Sequence, residues 1–180
     1  MKKQTMTIAG IPAVLYGSRS RRVYLYVHGK NGCKEEAERF AGTACAAGWQ
    51  VLAIDLPEHG ARKNSPEQLL PWVAVPEIEA VYARMKSVWA HIRLYGVSIG
   101  AWLAMQALQG DAPEQALLAS PVVDMEALIT NMTICPCDRG TAAAGRGDPH
   151  GSWGDPLVAV SVLGAGTSAA LAWPHAGAVW

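Results

Sequence analysis

Cysteine is sparse in this sequence: Cys33, Cys45, Cys135 and Cys137 are too few and too scattered to staple a small secreted scaffold. Net charge is absent too, since 15 basic side chains balance 15 acidic ones. That balance excludes a protein that holds nucleic acid or an anionic membrane by bulk electrostatics. No apolar run reaches the roughly 18 residues needed to span a bilayer. The basic start Met1-Lys2-Lys3 is not followed by the apolar core of a secretory signal. A cytoplasmic globular protein is expected, with no nucleic-acid partner and no membrane span; oligomeric state is left open. What is present is 180 residues, 51% of them hydrophobic, enough for one domain with a real core and short for two.

Composition breaks once along the chain. Residues 1–132 read as alternating strands and helices. Residues 133–180 contain no Lys and no Glu but 10 Ala and 8 Gly, and are expected to be a non-native or poorly ordered tail. The best strand candidate in the tail is Leu157 to Leu163. In the first part, Thr5–Ile8 and Ala13–Tyr16 predict a leading hairpin around Gly10. Apolar, β-branched and aromatic runs at Arg21–Val27, Trp49–Asp55 and His91–Val97 predict buried strands, with a shorter one at Gln115–Ala119. Helical spacing marks Lys34–Ala47, closed by Gly48, then Pro76–Trp89 and Ile99–Leu108. The second of these presents Ile78, Val81, Tyr82, Met85 and Trp89 on one face. Apolar strands alternating with helices imply an α/β protein whose mostly parallel sheet is covered on both faces.

The sharpest chemical signal is Gly96-Val97-Ser98-Ile99-Gly100, between an apolar strand and a small-residue helix. A tight strand-to-helix bend there lifts the Ser98 hydroxyl above the sheet, and the Ile99 N–H points toward a developing oxyanion. The plain alternative is a glycine-bordered turn carrying an ordinary serine. Val27-His28-Gly29-Lys30-Asn31-Gly32, after an earlier strand, would supply a second donor from the Lys30 N–H. Asp55-Leu56-Pro57-Glu58-His59-Gly60 would turn beside the same cleft, with His59 read as structural. Residues 64–75, containing Leu69, Leu70, Pro71 and Trp72, form part of a small cap or pack on the sheet.

Together, H-G after the third strand, D-x-P-x-H-G after the fourth and G-x-S-x-G after the fifth resemble the α/β-hydrolase superfamily, over roughly residues 5–132. The resemblance implies a serine hydrolase of the esterase, lipase or peptidase kind, acting on carboxylic esters or related small acyl substrates through an acyl-enzyme on Ser98. That chemistry calls for no metal or organic cofactor. It does call for a His and an acid, later in the chain. Beyond Ser98 the only histidines are His150 and His175, neither after a convincing strand, and Asp124 serves equally as a helix cap. A non-catalytic binding protein or fragment of the same fold is therefore the alternative. Cys135-Pro136-Cys137 with His150 and His175 offers metal-ligand types but no second cysteine pair, so no metal site is expected. Lys2-Lys3 and Arg19–Arg22 read as solvated surface.

The missing relay has a coding explanation. Back-translated and read from the second base of each codon, residues 146–180 permit G-E-I-P-T and later W-P-G-P-T-x-V-L-Y-G, with the acidic helix starts and apolar strand that the tail lacks. A reading-frame slip near Met132 or Thr133 is expected, leaving a fold incomplete at its C-terminus with an open sheet edge. Sequencing the DNA across the Met132 codon decides it.

Overall fold

The computed structural model describes residues 1–122 and a strand at residues 160–164. Its strands are β1 (Lys3–Ile8), β2 (Ile11–Tyr16), β3 (Arg22–Val27), β4 (Gln50–Ile54), β5 (His91–Val97), β6 (Gln115–Ala119) and β7 (Val160–Gly164). Three α-helices intervene, α1 (Ala37–Ala46), α2 (Pro71–Lys86) and α3 (Ile99–Ala107). All seven strands join one sheet in the order β1-β2-β4-β3-β5-β6-β7. Strands β4, β3, β5 and β6 run parallel, and the β1–β2 hairpin and β7 pair antiparallel at the two ends.

Local chemistry accounts for these elements. Ala9 and Gly10 both take positive φ, 49° and 82°, giving the two-residue turn whose twist matches the strands it joins. Every residue of β4 is buried, as is all of β3 after Arg22, because both strands lie inside the sheet with helices over both faces. One face packs Leu25, Leu52, Leu94 and Leu118 beneath Ile78, Val81 and Met85 of α2 and Leu103 of α3. Each fully buried aliphatic side chain of this kind contributes roughly 2 kcal/mol. The other face sets Tyr24, Tyr26, Val51 and Ala53 against Ala37, Ala41 and Ala44 of α1. It is the more aromatic side: Phe40 meets Tyr24 edge-on at 5.0 Å, and the Arg93 guanidinium lies 4.2 Å from the Trp49 ring centre.

Three expectations need correction. The helix placed at Pro76–Trp89 starts at Pro71 and keeps Pro76 inside it. Pro71 sits in the first turn, where a missing N–H costs nothing. Pro76 forfeits one bond, to the Trp72 carbonyl; both residues are exposed, so water can take that carbonyl. Trp89 lies past the helix end yet stays buried, its Nε1–H donating to Gln50 Oε1 at 2.9 Å. The helix expected from Lys34 opens as a 3-10 turn over Lys34–Glu36 before α1 begins. The edge of β6 expected to be open is paired: β7 runs along it with Ala116 opposite Leu163 and Leu118 opposite Ser161. Backbone pairing asks little of side chains, which is how a segment of the Gly/Ala-rich stretch can take that edge. Asp124 and the residues it would cap lie outside the described residues, as does the tail apart from β7. No helix among the described residues is long and apolar enough to cross a membrane.

Candidate active site

Parallel register sets the site. Val27 stands opposite both Ile54 and Gly96, so the turns leaving β3, β4 and β5 emerge side by side at one end of the sheet. Ser98 is the apex of the third turn, with φ 49° and ψ −122°. A non-glycine residue holds such dihedrals only where its surroundings enforce them, at a cost of order 1–3 kcal/mol. Here the surroundings are glycines that admit close backbone. A Cβ on Gly100 would strike the His28 carbonyl oxygen and come within 2.8 Å of Val27 O, and one on Gly96 would sit 2.6 Å from Ala101 Cα. A Cβ on Gly29, across the gap, would be 3.3 Å from the Ser98 Cβ. The Ser98 backbone is tied on both sides, its N–H donating to Ala119 O at 2.9 Å and its carbonyl accepting from Ala101 N–H at 3.1 Å.

Neither expected N–H donor has an acceptor among the described residues. Ile99 opens α3, where the first N–H groups have no helical partner. Lys30 lies in an irregular turn, and its N–H donates to no acceptor among the described residues. A hydroxyl beside two free N–H groups can add to a carbonyl carbon while the resulting oxyanion is held.

Buried polar side chains knit the other two turns together. The carboxylate of Asp55, fully buried, accepts from Lys34 N–H at 2.9 Å, Lys34 Nζ at 2.6 Å and Ala61 N–H at 2.9 Å. Burial works to lower the pKa of Lys34, but its bonds to Asp55 and Glu35 outweigh this and hold it above the ordinary lysine value. His28 and His59 span the same two turns: His28 Nε2 accepts from Leu56 N–H at 3.1 Å, and His59 Nε2 from Asn31 N–H at 2.9 Å. His59 is thus held in the framework, as its sequence setting indicates. Burial is the largest influence on His28 and keeps its pKa below the usual imidazole value.

A cleft of about 510 Å³ opens here, walled by Lys30, Glu58, His59, Lys63, Leu69 and Ile99. Ser98 is partly exposed and directly precedes Ile99 of the cleft wall. Leu69, from the segment expected as cap or packing, does both, lining the cleft and packing on the core. The structure thus brings Ser98, Ile99 and Lys30 to one end of the sheet. Asp124, His150, His175, Cys135 and Cys137 lie outside the described residues. Lys34, with no motif to mark it, is the member of the buried network that sequence reasoning missed; the partnering role of Asp55 was hidden inside a motif read only as a turn. No group of three or more metal-ligating side chains is clustered among the described residues.

A hairpin-led, mostly parallel sheet with these three turns at the ends of β3, β4 and β5 is the α/β-hydrolase fold. No family model and no curated protein matches the chain. Solved structures do, at TM-scores that establish the fold. One is a Thermus thermophilus protein, 22% identical over 72% of this chain and 66% of that one, with a TM-score of 0.56. Another is a putative non-heme bromoperoxidase of Mycobacterium tuberculosis, 19% identical over 70% and 46%, at 0.57. A third is a hormone-sensitive lipase homologue from a metagenome library, 21% identical over 68% and 45%, at 0.53. The chain spans less than two thirds of each of these proteins.

Proposed function

We propose that this chain carries the core of a serine hydrolase for carboxylic esters or related acyl substrates, with Ser98 as nucleophile. The carrying observation is the Ser98 bend: positive φ enforced by glycine contacts, with the Ile99 and Lys30 N–H groups nearby and without an acceptor among the described residues. In this reading Ser98 Oγ adds to the acyl carbon, its proton passing to a base. The two N–H groups receive the oxyanion, and the alcohol leaves as the acyl-enzyme forms. Esterases, a lipase and a thioesterase domain are among the solved proteins with this fold.

One observation favours a second reading, binding without turnover. Every described histidine is engaged elsewhere: His28 and His59 in the loop framework, and His91 with Glu114 at 2.7 Å, at the far end of β5 from Ser98. The base must then be His150 or His175, or belong to the alternative reading frame with its acid. A fluorophosphonate probe separates the readings. Covalent labelling that vanishes in Ser98→Ala is expected for the hydrolase; a folded chain that takes no label is the binding protein.

A further inference from the structure

We propose that His28 and His59 form a reciprocal clasp that aims the Lys30 N–H, and that the clasp closes only while both imidazoles are neutral. The proposal rests on the hydrolase reading for what the N–H does, and on hydrogen-bond geometry for the clasp itself. The two histidines lie on different turns, and each reaches across to the other's backbone. His28, leaving β3, accepts from Leu56 N–H, while His59, beyond β4, accepts from Asn31 N–H. Their ring centres are 5.2 Å apart.

The second nitrogen of each ring fixes its tautomer. His28 Nδ1 lies 2.8 Å from Gly29 O, and His59 Nδ1 lies 2.6 Å from Pro57 O. A carbonyl can only accept, so each Nδ1 carries the hydrogen and each Nε2 is a bare acceptor. A proton on either Nε2 would set N–H against N–H.

The position of these bonds gives them a chemical consequence. Gly29 O and Lys30 N–H belong to one trans peptide, whose carbonyl and N–H point in opposite directions. That carbonyl accepts from both His28 Nδ1–H and Gly32 N–H; pinning it turns the Lys30 N–H the other way, and the bonds polarise the peptide so that its N–H donates more strongly. His59 holds the next peptide by its Asn31 N–H. The two imidazoles therefore fix the backbone on both sides of the Lys30 Cα. Neither reaches a substrate; both are positioning residues.

Charged groups around the pair act on His28. Asp55 and Glu35 act to raise the pKa of His28, and the neighbouring His59 acts to lower it, but burial dominates and the net direction is down. Lys34 is tied to both acids. Glu58, Lys30 and Lys63 share the cleft wall with His59. A folded pKa below the unfolded one means that the unfolded chain binds the extra proton more readily. The His28 contribution is therefore complete above the unfolded value, about 6.5, and is lost as pH falls through the folded value.

Imidazole nitrogen NMR, with amide exchange at Asn31 and Leu56, reads the clasp; the rate of fluorophosphonate labelling reads its consequence. Both rings are expected as the neutral Nδ1–H tautomer at pH 7.5, with both amides protected, and protection is expected to fall on acidification. His28→Asn keeps a donor near Gly29 O, whereas His28→Ala does not. Among folded variants the alanine form should label roughly tenfold or more slowly, with the asparagine form between it and the wild type. His59→Gln keeps an acceptor toward Asn31 and should keep that amide protected, whereas His59→Ala should not. An Nε2–H tautomer in either ring overturns the proposal, as does wild-type labelling in folded His28→Ala and His59→Ala. Should the wild type take no label, the hydrolase reading fails, while tautomers and amide protection still decide the clasp.

Discussion

The turns at the cleft end of the sheet are held in opposite ways. The bend at Ser98 is shaped by atoms that are absent: glycines at 96, 100 and 29 let backbone press on backbone, and Ser98 is forced to φ 49°. The pair of turns at 28–33 and 55–60 is shaped by side chains that are present, since Asp55, Lys34, His28 and His59 bind backbone groups across the gap. The first device is steric and indifferent to pH. The second is polar, and it depends on His28 keeping a bare Nε2. A hydrolase built this way would keep its nucleophile in place over a wider pH range than its oxyanion loop.

Substitutions can break this contrast. The largest effect is expected at the steric turn. Gly100→Ala drives a Cβ into the His28 carbonyl, backbone that cannot swing aside, and should cost roughly 3 kcal/mol or more. A urea midpoint unchanged from wild type would show that the turn is not sterically set. Next comes the polar pair of turns. Asp55→Ala strands Lys34 without its buried partner and removes three hydrogen bonds, for about 3 kcal/mol near pH 7 by denaturant titration. Less than half a kilocalorie would mean that solvent replaces the carboxylate freely. The smallest change is a gain. Ser98→Gly relieves the positive φ and should raise stability by about 1 kcal/mol while abolishing probe labelling. A loss of stability there would mean that the serine side chain supports the bend rather than being strained by it.

Much of this was legible from the residues alone, and unevenly so. The buried strands and Ile99–Ala107 were readable because their apolar runs and small-residue spacing are local signals. The placing of Ser98, Ile99 and Lys30 at one end of the sheet was readable because glycine marks places where backbone must come close. The start of α2 was not: Pro76 looks like a helix beginning, and only its exposed position shows why the helix runs through it. The Lys34–Asp55 pair was equally hidden, because the two residues are 21 positions apart and meet only once β3 and β4 lie side by side.

The strand at Val160–Gly164 carries a lesson about where the fold is choosy. Its place beside β6 is won by main-chain amides, so almost any short tethered length of water-shy chain could act as a bandage there. Such a dressing would spare the chain from recruiting a second molecule at the wound, yet lend nothing to chemistry.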